Sequence, residues 1–307
     1  MTTTESDEAV LVYGATGVQG EGILEQLLDD GHTVRAQTTS PERTDTLEQR
    51  GAKPVVATLD DHDALRAANE SVSKVVLTTP SGYPSETVRR LGKNAIDAAE
   101  RAAVDLFVLN TSAPIPDDEP DVTYYEDRRF LERYLERSSL PFVSLRPTIY
   151  LENLVEPLAA EQIVNDGVVA FPAPSEMLAA WICVEDLGAF VAETLTHPEW
   201  SGRRIPIGGP EILTGTDIAE QFSVAMGRSI EYRQIPLDEF EAQLSETMGP
   251  DVGKMIPEMY RRVERHPGSG LYERDAAELR QLFPDIDLTS LKTWIERRDW
   301  QRFADSA

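Results

Sequence analysis

The chain has 307 residues, 41% of them hydrophobic, which suits one large α/β domain or a domain with a smaller lobe and excludes disorder as its main state. Its 54 acidic residues against 29 basic ones leave a formal net charge of −25, and such a surface repels nucleic acid phosphates and anionic lipid heads. The carboxylates run along the whole chain without forming a tail or block, the pattern expected of a halophilic cytoplasm in which salt screens self-repulsion.

The N-terminal stretch MTTTESDEAV has neither a basic start nor an apolar segment long enough for a signal or a membrane span, so a soluble, cytoplasmic protein is expected. Ala9 to Val12 read as a first strand, followed by YGATGVQG at residues 13 to 20. Ile23, Leu24, Leu27 and Leu28 then recur at helical spacing and Gly31 marks a stop, which predicts a helix from about Val18 to Asp30. His32 to Thr38, Pro54 to Thr58, Lys74 to Thr78 and Leu106 to Leu109 read as further strands, and Phe142 to Arg146 as a sixth. Helical patterns around Ala64-Leu65 and from Glu86 to Ala103 lie between them. Short β-rich runs alternating with helices mark a doubly wound parallel sheet.

Gly14, Gly17 and Gly20 join the first strand to the first helix, where unpaired backbone N–H groups and the positive helix end meet. A dinucleotide pyrophosphate fits such a turn: glycine lets the backbone approach, Val18 and Gln19 lie in the first helical turn, and the Thr16 hydroxyl adds a donor. A carboxylate about 20 residues further on would accept the ribose hydroxyls of NAD. The second strand here ends in RAQTTSPER, residues 35 to 43, with Thr38 and Thr39 at that place and Arg35 and Arg43 flanking it. Hydroxyls and a cation suit the 2′-phosphate, so NADP is favoured and NAD remains possible.

In the second half, residues 159 to 163 read as helical and Val168 to Pro172 as a short strand or loop. Trp181 to Leu195 re-enters the layered domain, Ile205 to Ile207 is a last strand, and Thr214 to Met226 is a helix opened by Thr214 or Thr216 and closed by Gly227. Leu237 to Trp300 is helical and charged. The single cysteine, Cys183, excludes an internal disulfide, and no metal-ligand spacing joins it to His32, His62, His197 or His266. Cys183 reads as a core residue, Asp186 as a helix N-cap, and Met248, Met255 and Met259 as core fillers ahead of a substrate pocket.

The segments GATGVQG, LRPTIYLEN (Leu145 to Asn153), WICVEDLGAFVAETL (Trp181 to Leu195) and IGGPEILTGTDIAEQFSVAMGR (Ile207 to Arg228) together resemble the NmrA-like group of atypical short-chain dehydrogenases. They stand in that family's order and roughly its spacing, over residues 8 to about 236. The resemblance implies a Rossmann NAD(P)-binding domain, residues 1–150 plus roughly 181–207, and a smaller, mostly helical lobe of residues 151–180 and 208–307. It also implies cofactor contacts from Thr78, Thr79 and Pro80 after the fourth strand, and from Thr58 and the Leu59 backbone near the adenine. Two positions depart from it: Thr39 stands where many relatives carry an arginine for the 2′-phosphate, and Thr58 where many carry an aspartate.

The wider superfamily's catalytic Tyr-x-x-x-Lys places both side chains on one helix face. Its counterpart lies in YYEDRRFLERYLERSSLPF, residues 124 to 142, where aligning Glu132 gives Tyr124 and Arg128. A shift of one residue gives Tyr125 and Arg129. Arginine stays protonated, so it can bind ribose oxygens or polarise the phenol but cannot serve as a neutral base. The superfamily serine falls at Thr111 or Ser112, whose hydroxyl would hold a substrate carbonyl. The plain alternatives are that Tyr124 packs at a helix start, Arg128 pairs with Glu132 in water, and Thr111 and Ser112 are turn residues. The expected function is an NAD(P)H-dependent reductase of a small carbonyl, quinone or activated double bond, in a monomer or homodimer. A non-catalytic dinucleotide sensor acting on a protein partner is the alternative, and a sugar-nucleotide epimerase is disfavoured because that branch keeps its lysine.

The charge of −25 makes one prediction by itself. Melting temperature should rise steeply from dilute buffer to molar KCl as the self-repulsion is screened. A flat response would remove the halophile reading and leave an acidic surface built for a basic partner.

Overall fold

The computed structural model describes residues 9–118 and 122–304, so the acidic stretch before Ala9 lies outside the described residues. Strand and helix alternate from the start: β1 (Ala9–Tyr13), α1 (Val18–Asp29), β2 (Val34–Thr38), α2 (Thr44–Gln49), β3 (Lys53–Val56), α3 (His62–Asn69), β4 (Val72–Thr78), α4 (Ser85–Arg101), β5 (Leu106–Asn110), α5 (Thr123–Leu135) and β6 (Phe142–Pro147). There follow α6 (Pro157–Glu161), β7 (Val168–Phe171), β8 (Ala179–Ala180), α7 (Val184–Leu195), β9 (Arg204–Ile207), β10 (Ile212–Leu213), α8 (Gly215–Met226) and β11 (Glu231–Gln234). The C-terminal region is helical: α9 (Leu237–Met248), α10 (Pro250–Gly253), α11 (Met255–Arg265), α12 (Ala276–Leu282) and α13 (Leu291–Glu296). No helix among the described residues is long and apolar enough to cross a membrane.

The main sheet has seven strands in the order β3-β2-β1-β4-β5-β6-β9, parallel from β3 through β6. β1 and β5 are buried at every residue, the continuous apolar run expected of a strand covered on both faces. The order reverses between β1 and β4, which is where ligands bind outside the carboxyl ends of such sheets. The protein is a Rossmann-like α/β fold with a helical C-terminal region.

Strand ends differ from the sequence reading by a residue or two, for local reasons. His32 closes α1, its N–H bonding the Leu27 carbonyl after Gly31 turns the chain at φ +79°, so β2 begins only at Val34. Thr58 lies beyond β3, its carbonyl accepting the Asp61 N–H in the next turn.

Two compact units divide the chain. The first comprises Met1–Ser112, Asp127–Arg146 and Leu187–Ile205. Its core joins Leu11, Val75 and Phe107 of the sheet to Ile96 and Ala99 of α4 and to Leu131 and Leu135 of α5. Glu132 of α5 is buried and takes Ser144 Oγ at 2.6 Å, Arg146 Nε at 2.9 Å and Arg204 Nε at 3.3 Å, fastening the helix to β6 and β9. The solvated pairing of Arg128 with Glu132 is therefore corrected: both are buried, and Glu132 is held by other cations. Arg35 also leaves the site expected for it, because its guanidinium donates to the Ala67 and Ala68 carbonyls at the end of α3.

The second unit comprises Ala113–Glu126, Pro147–Asp186 and Pro206–Ala307. It holds the small pairs β7 with β11 and β8 with β10. Phe171, Trp181, Phe222, Trp294 and Trp300 dominate its core, with Cys183 buried among them. Thr214 and Asp217 form a reciprocal capping box at the start of α8, and Gly227 ends it in the left-handed region. Asp186 is not the N-cap of α7. It lies in the first turn, its own N–H reaches Cys183 Sγ at 3.5 Å, and its carboxylate takes the N–H and hydroxyl of Thr289. Of the three methionines, Met259 is buried beside Val122 and Tyr125, whereas Met248 is exposed.

Glu152 is the polar hinge of this unit. It accepts Trp294 Nε1 and Arg298 Nη2, each at 3.0 Å, and the Val184 N–H at 3.1 Å, and burial pushes its carboxyl up to about 7 in spite of these donors. A carboxyl raised on folding contributes stability that is complete below its ordinary value and is lost as pH rises through the folded one. Stability should therefore fall between about pH 4.5 and about pH 7, and Glu152→Gln should flatten that slope in melting curves taken across the range.

Candidate functional site

The turn between β1 and α1 is set by backbone geometry. Gly14 has φ +72°, a left-handed conformation that disfavours any side chain, and its carbonyl accepts the Gly17 N–H at 3.0 Å. A Cβ at Gly20 would overlap the Gly14 carbonyl oxygen, whereas a Cβ at Gly17 would stand 3.4 Å from it with nothing else near. The third glycine thus lets α1 pack on the turn, and the second keeps the approach open. Gly17 is the N-cap in extended geometry and has no capping side chain, and among the described residues no side chain takes the first-turn N–H groups of Val18, Gln19 and Gly20. An anionic phosphate is what this combination of open amides and helix end accommodates.

Gln37, fully buried on β2, pins the turn from behind. Its Oε1 takes the Gly14 N–H at 2.8 Å while its Nε2 donates to the Ala57 carbonyl at 2.6 Å. Beside it the Thr16 and Thr38 hydroxyls meet at 3.2 Å, and Thr38 Oγ1 accepts the Ser40 N–H. Thr39 is exposed. Arg43 reaches the same corner, with Nη1 on the Thr16 carbonyl at 3.3 Å and 3.7 Å from Glu21, while more than half of its side chain stays in solvent.

On the other side of the turn, polar groups gather at the ends of β4 and β5. Asn110 Nδ2 donates to Gln19 Oε1 at 2.7 Å and lies 3.4 Å from Thr78 Oγ1, and its Oδ1 accepts the Ser112 N–H at 3.0 Å. Ser112 Oγ meets Gln19 Oε1 at 3.0 Å, and the residue has φ +59°, uncommon strain for a side chain other than glycine. Thr79 donates its N–H and hydroxyl to the Asn110 carbonyl, and Pro80 follows, half-buried. Thr111 is fully buried with its hydroxyl on the Leu145 carbonyl.

The NmrA-like family is matched over residues 6–295. The chain belongs to that family. It is 27% identical over 233 residues, 75% of this chain and 78% of the other, to an NAD(P)H azoreductase of Xenophilus azovorans. Its fold superposes with a TM-score of 0.77 on an NADPH-dependent quinone oxidoreductase of Escherichia coli solved with NADPH, at 20% identity over 94% of this chain and 99% of that one. It superposes with a TM-score of 0.72 on the negative transcriptional regulator NmrA in complex with NADP, at 19% identity over 95% of each chain.

Residues that the NmrA-like resemblance brought forward fall into different environments. Tyr124 is half-buried on α5, and Tyr125 is fully buried with its hydroxyl 2.7 Å from that of Tyr272. Arg128 has no solvent-exposed surface, and its Nε donates to the Thr111 carbonyl at 3.2 Å. The guanidinium braces the end of β5, because a buried cation is stable only where acceptors surround it. Thr58 is exposed past β3, and the Leu59 carbonyl is taken by Asn94 Nδ2 at 2.8 Å. The sequence reading did not single out Gln37 or Asn110 as site residues. The available signal was an amide side chain at the carboxyl end of each strand, flanked by residues that must be buried.

The two glycines should separate by experiment. Gly20→Ala should destabilise the fold by several kcal/mol, read as a drop in melting temperature, since backbone must move to admit the methyl. Gly17→Val should leave the melting temperature nearly unchanged and abolish its rise with NADPH or NADH.

Proposed function

We propose that the protein is an NAD(P)H-dependent reductase, with NADP(H) preferred, acting on a small carbonyl, quinone or activated double bond. The observation that carries this reading is the open, uncapped first turn of α1 behind Gly14 and Gly17, at the point where the strand order reverses. The azoreductase and the quinone oxidoreductase support the reaction class by likeness.

The amides of Val18, Gln19 and Gly20 hold the pyrophosphate. Thr39, Ser40 and Arg43 suit a 2′-phosphate, and β2 ends in Thr38, followed by Thr39, where an NAD site has a carboxylate. A bound nicotinamide supplies the hydride. Tyr124 supplies a proton to the oxygen or nitrogen that accepts it. Arg128 acts at one remove, fixing the Thr111 carbonyl and with it the strand end that carries Ser112. The reaction needs neither nucleic acid nor membrane, and a monomer or homodimer in the cytoplasm suffices for it.

A second reading is favoured by one feature. Where the superfamily lysine would stand free beside the phenol, Arg128 is buried on a backbone carbonyl. A dinucleotide sensor that acts on a protein partner needs no such lysine, and the NmrA regulator is a protein of similar fold.

Titration calorimetry with NADPH and NADH, followed by NADPH consumption across a panel of carbonyls and quinones, decides between the two. Tyr124→Phe should lower turnover roughly a hundredfold and leave NADPH affinity nearly unchanged. Tyr125→Phe should instead cost about 1 kcal/mol of stability through the lost bond to Tyr272, with turnover intact. Tight NADPH binding with no oxidation of any panel member would hand the protein to the sensor reading.

A further inference from the structure

We infer that the side-chain amide of Gln19 is a hydrogen-bond donor to the nicotinamide half of the dinucleotide, and that Ser112 orients this amide as a positioning residue and does not itself donate to a carbonyl. The inference rests on the dinucleotide reading of the β1–α1 turn and adds the polarity of the groups beside it.

The polarity follows from a chain of single choices. The Ser112 backbone N–H can only donate, so the Asn110 atom 3.0 Å from it is the carbonyl oxygen, and Asn110 must turn its NH2 toward Gln19. The Gln19 atom 2.7 Å from that NH2 is therefore its oxygen, which can only accept. Ser112 Oγ touches the same oxygen at 3.0 Å, so the hydroxyl proton is committed to Gln19 and the Ser112 oxygen is left as an acceptor. A backbone amide thus fixes three side chains in turn, and the strained φ of +59° at Ser112 is what brings both its N–H and its hydroxyl to this network.

With its oxygen held by two donors, Gln19 has one group left, the Nε2 amide, and among the described residues nothing accepts from it. Gln19 starts in the first turn of α1, and its side chain crosses toward the ends of β4 and β5. The sheet order puts those strands on the side of β1 opposite β2, and the residues that follow β2, Thr39, Ser40 and Arg43, are the ones that suit the adenosine 2′-phosphate. A donor on the β4–β5 side therefore serves the other half of a dinucleotide laid across the turn.

The test compares NADP+ with adenosine 2′,5′-bisphosphate, which lacks the nicotinamide half, by titration calorimetry. Gln19→Met keeps the size and removes the donor. Its Kd for NADP+ should rise about tenfold while that for the bisphosphate stays the same. Gln19→Glu keeps the acceptor for Asn110 and Ser112. It should bind NADP+ at least as weakly at neutral pH and recover as the pH falls toward about 5, where a protonated carboxyl regains a donor, whereas the native protein shows no such recovery. A Gln19→Met variant that binds NADP+ like the native protein, or that loses affinity for both ligands equally, would overturn the inference and leave the dinucleotide site standing. Native protein that binds neither ligand would instead remove the site itself.

Discussion

The first turn of α1 lies so close to the Gly14 carbonyl that residue 20 has no room for a side chain, and the geometry of the candidate site depends on that approach. It brings the helix start directly over the end of β1, where the amides of three successive residues lack intrahelical partners. Gln37 holds the turn from the β2 side through the Gly14 N–H, and Gln19 reaches from the same turn to the β5 side. Two carboxamides, one on each side, therefore tie the glycine turn to β2 and to the end of β5.

Amides and hydroxyls do this work in preference to charged groups, which has a physical reason in a protein so rich in carboxylates. A carboxylate at the Gln37 position would accept the Gly14 N–H but could not donate to the Ala57 carbonyl. Positive charge enters at the rim instead. Arg43 and Arg50 both reach Glu21, and Arg43 keeps much of its surface in water. Arg43 and Arg50 thus stand beside the first turn of α1 even though the molecule as a whole is strongly negative.

Buried ionic groups in each unit serve attachment. Glu132 gathers Ser144, Arg146 and Arg204 at the edge of the sheet, and Arg128 one turn earlier supports the Thr111 carbonyl. In the second unit Glu152 joins the start of α7 to Trp294 and Arg298, and Asp186 holds Thr289. A carboxyl group kept from water is held where several donors converge on it, so Glu132, Glu152 and Asp186 each mark a place where separate stretches of chain must stay in register.

The sequence by itself determined the layered α/β fold, the glycine turn and its placement between strand and helix, and the family. These rest on local signals: apolar period, glycine where φ is positive or a Cβ would clash, and caps such as Thr214 and Gly227. Only the tertiary structure decided what the polar side chains do. Arg128 and Glu132 stand four apart, a spacing that suggests a solvated helix pair, yet both are buried and turn to different partners. Tyr124 and Tyr125 are adjacent and chemically identical, and the fold leaves one half-buried and fixes the other to Tyr272 across 147 positions. Gln19 and Ser112 are 93 positions apart, and which of them offers a proton outward depends on a backbone N–H that no spacing rule reaches. A side chain's hydrogen-bond role is set by the atoms that surround it, and those atoms come from strands that only the closed sheet brings together.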